Sequence, residues 1–386
     1  MRDGARPMRE FAIVVSTAFI LSGCQHGLDR AHGALEADKA TIAGYGDIRT
    51  YQDARLDEPP SNAADWAPAA GSRKLNFLMI SGGGSGGAFS VGVLSAWSAT
   101  KTRPRFDVVT GVSTGALIAP YAFLGSAYDH ALVQLYTSGV AKDLVVTKGP
   151  TGLLGSSLLK PEPLRRMVER SITPAVLGEI AAEHRKGRRL LVLTTNLDTQ
   201  RGVVWNMGAI AASGRPDARK LFVDIIVASA SIPGVYPAVM ISAESGGRRF
   251  QEMHSDGGST AQIMMPAQAV LASSRLPAAP KGQKVSFYVI VNNALMPEFG
   301  VTRNRTVSAI ARAYSIYMKS QAQSELTALY NFAKRTGAEF HVATIDAQVP
   351  YSMRDPFNTG YMRAVYKLGS DGIASGTLWK DSPVFR

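Results

Sequence analysis

A serine between two glycines offers the clearest chemistry in the sequence. Ser113 stands at the centre of Gly111-Val-Ser-Thr-Gly115, which follows the apolar stretch FDVV and precedes a helical pattern. Between a strand and a helix, this G-x-S-x-G spacing predicts a sharp turn, because the glycines remove Cβ atoms that would collide in so tight a bend. The turn raises the hydroxyl over a helix N-terminus, whose dipole stabilises negative charge. We therefore predict that Ser113 is a nucleophile.

A second glycine-rich stretch, SGGGSGGAFSVGVL, begins at Ser81 and offers backbone N–H groups to a phosphate or to an oxyanion. A dinucleotide site built on G-x-G-x-x-G needs an acidic residue at the end of the next strand, but Asp107 lies near its start. A P-loop needs a lysine, and this stretch has none. An oxyanion hole needs only N–H groups beside a nucleophile on the neighbouring strand, as Ser113 is. The predicted oxyanion hole comprises Gly82, Gly83, Gly84, Ser85 and Gly87.

The base that would activate this serine is to be found among an aspartate and two histidines. Asp256 precedes two glycines, which suit a tight turn that projects a carboxylate from a strand end. His254 shares a strand face with Asp256, because residues two apart point the same way. His341 lies within the apolar stretch EFHVATI, where a packed or edge histidine is the favoured interpretation. An α/β-hydrolase triad of Ser113, Asp256 and His341 stays open as an alternative.

The elements that must position these residues alternate between strand and helix. From Leu75 onward, short apolar runs such as LNFLMI, FDVVTG, RLLVLTTN and VSFYVIVNN are separated by stretches with helical spacing. Such alternation predicts an α/β fold with a parallel or mostly parallel sheet covered by helices on both faces. The stretch from Gly125 to Arg188 interrupts the alternation, and it is either a mobile cap over the site or a surface insertion.

Taken together, the three motifs resemble those of the patatin-like phospholipases. That family combines a Gly-Gly-Gly-x-x-Gly loop, a G-x-S-x-G elbow and an Asp-Gly-Gly turn, the last formed here by Asp256, Gly257 and Gly258. The block ASASIPGVYPAV at residues 228–239 and the stretch TTNLDTQRGVVW are also similar to family segments. The resemblance covers about residues 75–369, the whole of the presumed domain.

The resemblance implies a three-layer α/β/α sandwich and a lipid acyl hydrolase. The family uses a Ser–Asp dyad without histidine, which would be Ser113 and Asp256, and needs no metal or organic cofactor. The substrate would be a phospholipid, a lysophospholipid or another acyl ester. Many relatives carry Arg or Lys immediately before the last glycine of the loop, where this chain has Gly86. A catalytically inactive envelope scaffold is the remaining alternative, although the intact motifs favour an enzyme.

The N-terminus has the pattern of a bacterial lipoprotein signal. Arginines at positions 2, 6 and 9 precede the apolar stretch FAIVVSTAFILSG, which is too short to span a bilayer comfortably. It ends directly before Cys24, and the small residues there resemble a lipobox, in which the cysteine is lipidated. Two acyl chains give stable anchoring. Gln25 stands where an aspartate would favour inner-membrane retention, so we expect an outer-membrane protein of the bacterial cell envelope.

Composition limits the remaining possibilities. The 386-residue chain is 46% hydrophobic and 19% charged, as ordinary globular proteins are. Its net charge of +12 includes no long Lys/Arg run, so we interpret the charge as a solvated basic surface and expect no nucleic-acid partner. With a single cysteine, no intramolecular disulfide can form. We expect a signal peptide at 1–24, a tether at 25–73 and one catalytic domain at 74–386; the oligomeric state stays open.

Overall fold

The computed structural model describes most of the chain from residue 30 onward. The described ranges are 30–55, 57, 62–69, 74–149, 155–266, 270–271, 282–351 and 355–385. The expected signal peptide and the lipidation site at Cys24 lie outside the described residues. Within these ranges, no helix combines the length and the apolar character that crossing a membrane requires.

The described residues form one nine-stranded sheet. Its strands are β1 (Arg49–Tyr51), β2 (Lys74–Ile80), β3 (Val108–Val112), β4 (Arg189–Asn196), β5 (Arg201–Asn206), β6 (Val239–Ser245), β7 (Arg248–Asp256), β8 (Lys284–Val291) and β9 (Glu339–Thr344). The main path runs β1-β5-β4-β3-β2-β8-β9, while β7 pairs with both β4 and β6. The five consecutive strands β4, β3, β2, β8 and β9 are parallel, and the others join antiparallel, so the sheet is mixed.

Helices cover both faces of this sheet. They are α1 (Ala34–Asp38), α2 (Gly87–Ala99), α3 (Thr114–Leu124), α4 (Asp129–Thr137), α5 (Glu162–Ser171), α6 (Pro174–Arg185), α7 (Met207–Ala212), α8 (Ala218–Ser229), α9 (Thr306–Thr336) and α10 (Thr359–Ala374). Leu78 and Ile80 of β2 pack in one apolar cluster with α2, and Met79 packs in a second cluster with α9. Because successive strand residues face opposite sides, the two clusters are separate layers. The expected three-layer α/β/α sandwich is confirmed.

Part of the expected tether packs against the domain instead of standing apart. Strand β1 pairs antiparallel with β5 and extends the sheet by one strand. Ile42 and Ile48 are buried in the main apolar cluster. The guanidinium of Arg49 forms a buried ion pair with Glu252 of β7. Residues 30–54 are therefore part of the folded unit, although their sequence shows no clear periodicity.

Candidate active site

The turn at Ser113 has the strained geometry that the glycine spacing predicts. Ser113 joins β3 to α3 with φ 54° and ψ −121°, a backbone conformation that side-chain-bearing residues rarely adopt. A Cβ on Gly111 would lie 2.5 Å from the carbonyl oxygen of Gly115. A Cβ on Gly115 would lie 2.2 Å from the carbonyl oxygen of Ile80. Neither position can hold a larger residue, so the turn depends on both glycines.

Ser113 and Asp256 meet because β3 and β7 pair with consecutive stretches of β4. Val112, the last residue of β3, lies opposite Leu193. Asp256, the last residue of β7, lies opposite Thr194, the next residue of β4. The Ser113 hydroxyl donates a 2.6 Å hydrogen bond to Oδ2 of Asp256. The serine is 6% exposed and the aspartate 1%. The structure thus brings the two predicted residues into direct contact.

The carboxylate of Asp256 is held without a cation. Its Oδ1 accepts a 2.7 Å hydrogen bond from the N–H of Gly258, in the Asp-Gly-Gly turn. A Cβ on Gly257 would lie 2.4 Å from the carbonyl oxygen of Leu193, so this turn packs tightly on β4. Burial raises the pKa of Asp256 to about 7, against the opposing effect of the hydrogen bonds from Ser113 and Gly258. In the part of the chain that the structure describes, no Lys, Arg or His pairs with Asp256.

The glycine loop, residues 81–87, lies beside Ser113. A Cβ on Gly82 would lie 3.4 Å from Cβ of Ser113. Gly83 and Gly84 have φ values of 149° and 54°, which glycine adopts without strain. Within the described ranges, the N–H groups of Gly83, Gly84 and Ser85 have no hydrogen-bond acceptor in the protein. They precede the N-terminus of α2, where free N–H groups and the helix dipole favour a negative charge.

The last glycines of the loop fit closely against their neighbours. A Cβ on Gly86 would lie 1.9 Å from the carbonyl oxygen of Asn292, so the position where many relatives carry a basic residue has no room for a side chain here. The Asn292 side chain donates to the carbonyl oxygen of Ser81 and accepts from the hydroxyl of Ser90. A Cβ on Gly87 would lie 2.4 Å from Oγ1 of Thr114. Asn292, which follows β8, therefore fixes both ends of the loop.

Two further buried polar residues support the site: Ser229, within the family-like block 228–239 but given no role from the sequence, and Gln262, which belongs to none of the motifs. The hydroxyl of Ser229 accepts a 3.0 Å hydrogen bond from the N–H of Ser113 and donates to the carbonyl of Leu193. The carbonyl of Gln262 accepts from the N–H of Gly82, and its side-chain amide donates to the carbonyl of Gly258. Gln262 thus joins the glycine loop to the Asp-Gly-Gly turn.

The buried carboxylate of Glu325, on α9, holds the segment that contains Gln262. It accepts hydrogen bonds from the N–H groups of Gln262 and Ile263, the latter at 2.8 Å. Burial raises the pKa of Glu325 to about 8, in spite of these two backbone donors. The carboxyl group is therefore mainly protonated at neutral pH.

His254 belongs to a buried network that leads away from Ser113. Its Nε2 lies 3.1 Å from Oε2 of Glu252, and its Nδ1 lies 3.0 Å from Oγ1 of Thr194. Because Thr194 Oγ1 accepts a hydrogen bond from Trp205, its own proton is available to Nδ1, which assigns the ring proton to Nε2. Arg49 completes the network through its ion pair with Glu252. Burial lowers the pKa of His254, so the ring is neutral and both nitrogens are occupied.

His341 lies far from the serine. It is on β9, and strands β2 and β8 separate β9 from β3. At about 4.8 Å per strand, this separation is about 14 Å. Its ring stacks on Tyr288 and contacts Trp379, and Nε2 lies 3.9 Å from Glu339. The structure therefore does not assemble the alternative triad. Among the described residues, no group of three or more His, Cys, Asp or Glu is placed to hold a metal ion.

Comparison with known proteins places this geometry in context. A family model described as patatin-like phospholipase matches residues 78–271, which is half of the chain. The crystal structure of VipD from Legionella pneumophila aligns with a TM-score of 0.36 and 9% sequence identity, over 78% of this chain and 67% of that chain. No curated protein sequence matches this chain.

Proposed function

This chain belongs to the patatin-like phospholipase family, a family of lipid acyl hydrolases, and we propose that it cleaves carboxylic esters of lipids through a Ser113–Asp256 dyad. The observation that carries the proposal is the 2.6 Å hydrogen bond from the Ser113 hydroxyl to the buried Asp256 carboxylate. The free N–H groups of the glycine loop lie beside the same serine. A nucleophile, a base and oxyanion donors are the parts that acyl transfer requires.

In the first half of the reaction, Ser113 is acylated. Its Oγ attacks the ester carbonyl carbon while Asp256 Oδ2 takes the hydroxyl proton. The N–H groups of Gly83, Gly84 and Ser85 stabilise the negative charge on the tetrahedral oxygen. The C–O bond to the leaving alcohol then breaks, and Asp256 returns the proton to that alcohol. A pKa of about 7 suits Asp256 to both proton transfers at neutral pH.

The second half releases the acyl group. A water molecule attacks the acyl carbon, Asp256 takes its proton, and a second tetrahedral intermediate forms in the same oxyanion hole. The bond to Ser113 Oγ breaks and the serine recovers its proton from Asp256. A carboxylic acid leaves, and no redox partner is consumed. Because His254 is neutral with both ring nitrogens occupied, it does not replace Asp256 as the base.

A covalent label tests this assignment directly. Incubation with a fluorophosphonate should phosphonylate Ser113 and no other serine, as peptide mass spectrometry would reveal. Ser113→Ala should abolish both the labelling and the release of fatty acid from a panel of phospholipids, lysophospholipids and neutral glycerides. Labelling of a different serine in active protein contradicts the dyad, and the panel identifies the substrate class.

We also propose that Cys24 is lipidated and anchors the protein at the outer membrane. The support is the short apolar stretch and the small residues that precede Cys24, in a segment outside the described residues. Cys24→Ser should abolish metabolic labelling with palmitate and move the protein out of the membrane fraction. Unchanged labelling in the variant excludes lipidation at this cysteine.

A further inference from the structure

The first half of α9 presents an uncharged face to the solvent. Ala309, Ile310, Ala313, Ile316 and Tyr317 are exposed, at the spacing that places side chains on one side of a helix. Ile310 is 64% exposed and Ile316 60%. A helix face turned toward water ordinarily carries charged and polar residues. These five residues, called the apolar face below, therefore have the composition of a contact surface.

Arg312 and Lys319, the charged residues in the first half of α9, contact the preceding loop, which contains a second exposed apolar segment. Arg312 donates to the carbonyl oxygen of Glu298, and Lys319 lies 2.7 Å from Oε2 of the same glutamate. These bonds hold the loop that precedes α9 against the helix. Phe299 and Val301, in that loop, are 96% and 89% exposed. Two further exposed apolar side chains thus lie in the loop that these bonds hold on the first half of α9.

The apolar face borders the candidate active site. The Tyr317 hydroxyl donates to the carbonyl oxygen of Ser259, three residues after Asp256. Further along α9, the side-chain amide of Gln321 donates to the carbonyl oxygen of Thr260 in the same segment. Burial raises the pKa of Tyr314, on the first half of α9, and the charge of Asp256 raises it further. Ser113 itself is only 6% exposed. A partner on the apolar face would therefore lie next to the catalytic pair.

We propose that the apolar face, with Phe299 and Val301, docks onto an anionic lipid surface whose phosphate groups contact Arg303 and Arg305. Both arginines are exposed in the loop directly before α9 and form no ion pair within the described ranges. Apolar side chains flanked by cations suit a bilayer interface, where tails and phosphates lie at adjacent depths. A second copy of this chain would bring two more unpaired arginines and no phosphate, so it fits less well than an anionic lipid surface. The choice of lipid rests on the proposed function.

A fluorescent probe on the apolar face tests the docking. Cys24 is the chain's single cysteine, so the full chain with Cys24→Ser, Ser113→Ala and Ile316→Cys carries one thiol for an environment-sensitive dye. Vesicles of phosphatidylcholine with phosphatidylglycerol should shift the emission to the blue. The matched control is Lys367→Cys in place of Ile316→Cys, at an exposed position of α10, where no shift is expected. No shift at 316, or equal shifts at both positions, overturns the proposal, as does a concentration-dependent shift without vesicles, which indicates a second copy.

A second experiment tests the role of Arg303 and Arg305. Removing Arg303 and Arg305 together as Arg303→Gln and Arg305→Gln should weaken partition onto the anionic vesicles roughly 30-fold, from the usual contribution of two basic residues near such a surface. Equal partition of the parent and this variant overturns the role of the phosphates. Because all these proteins carry Ser113→Ala, binding is measured without turnover. A failure of docking is thus distinguishable from a failure of the proposed activity, which the fluorophosphonate reports.

Discussion

Strand β7 carries two buried carboxylates, Glu252 and Asp256, in opposite electrostatic surroundings. Burial raises the pKa of Glu252, but the hydrogen bond from His254 and the charge of Arg49 outweigh burial and lower the pKa to about 2. Burial raises the pKa of Asp256 to about 7, and among the described residues only Ser113 and Gly258 oppose this by donating hydrogen bonds to the carboxylate. The sign of the shift therefore depends on whether a cation accompanies the buried carboxylate.

This difference in pKa suits Glu252 to a structural role and Asp256 to the proton transfers of the proposed mechanism. Glu252 stays ionised at every pH near neutrality, so it cannot exchange protons during a reaction, and its role is to hold Arg49 and the arm of residues 30–54. Asp256 gains and loses a proton near neutral pH and touches a hydroxyl that sits in a strained turn. In the proposed dyad, a single strand thus carries one carboxylate that is paired with a cation and one that is not, and only the second exchanges protons near neutral pH.

The largest expected effect is on turnover when Asp256 loses its charge. Asp256→Asn keeps the shape and can still contact Ser113, but an amide cannot take the proton. We expect kcat/KM to fall by about 10⁴–10⁶-fold, the range seen when a member of a catalytic serine constellation is removed. Steady-state kinetics on a soluble ester measures this, with circular dichroism to confirm folding. Activity within tenfold of wild type contradicts the role of Asp256.

His341→Ala is the matched control for that measurement. Since His341 stacks on Tyr288 with two strands between it and β3, its removal should leave most of the activity. If a folded His341→Ala protein lost activity as completely as Asp256→Asn, the triad would replace the dyad.

The next effect concerns stability at the other carboxylate. Arg49→Met leaves the charge of Glu252 buried and unpaired, which ordinarily costs about 3–5 kcal/mol. Urea denaturation should show this loss, and adding Glu252→Gln to Arg49→Met should restore most of it because no buried charge remains. The folded fraction should keep its turnover, since Arg49 contacts neither Ser113 nor the glycine loop. Unchanged stability of Arg49→Met contradicts a structural role for the network.

The effect of pH on the two carboxylates is smaller and has opposite signs. Asp256 must be ionised to act as a base, so kcat/KM should rise with pH toward a plateau above about 7 and be about tenfold lower at pH 6.

For stability, the raised folded-state pKa of Asp256 means that the folded state holds the proton more tightly than the unfolded state does. The contribution of this proton to the free energy of unfolding is therefore lost as pH rises from 3.8 through 7. The contribution of Glu252 is lost as pH falls from 4.5 through 2.

Denaturation at several pH values checks these directions, and Asp256→Asn should remove the decline between pH 4 and 7 that Asp256 causes. A rising limb of kcat/KM well below pH 6 would contradict the raised pKa. The limb does not by itself separate a dyad from a triad, because a carboxylate with a pKa of about 7 titrates where histidine does.

The features that the sequence predicts correctly are those whose pattern lies in neighbouring residues. The strand–helix alternation and the G-x-S-x-G and Asp-Gly-Gly motifs depend on neighbouring residues, so the sequence predicted the layers and the residues that meet. The strand at Arg49–Tyr51 has three residues and finds its partner β5 far along the chain, so its periodicity is too short to detect. Without that pairing, residues 30–54 resembled a tether.

The supporting polar residues were missed for a related reason. Asn292 directly follows the buried parallel strand β8, just as Ser81 follows β2 and Ser113 follows β3. The carboxyl ends of these three strands lie together, so a polar residue directly after the apolar run in VSFYVIVNN could have been predicted to lie at the site. Gln262 and Glu325 have no such signal, because each becomes a site residue only through the packing of α9 against the Asp-Gly-Gly turn.

The smallest expected effect concerns Glu325, a third buried carboxylate, which has no cationic partner among the described residues. It tests the rule that a buried carboxylate without a cation has a raised pKa. Because burial raises its pKa to about 8, the carboxyl group is mainly protonated at neutral pH, and Glu325→Gln replaces it with a neutral group of nearly the same shape. The two N–H groups of Gln262 and Ile263 keep an acceptor. We therefore expect kcat/KM at pH 7 to change by less than about threefold, because a substitution that disturbs none of the buried contacts ordinarily changes free energies by only about 0.5 kcal/mol.

The pH dependence of stability then distinguishes a neutral Glu325 from an ionised one. In the wild type, the contribution of a carboxyl whose folded-state pKa is raised is present below pH 4.5 and is lost as pH rises through 8. Glu325→Gln has no proton to lose, so its melting temperature should fall less than that of the wild type between pH 5 and pH 8.5. Identical pH profiles would mean that Glu325 titrates alike in the folded and unfolded chains, and the absence of a cation would then not suffice to raise the pKa of a buried carboxylate in this protein.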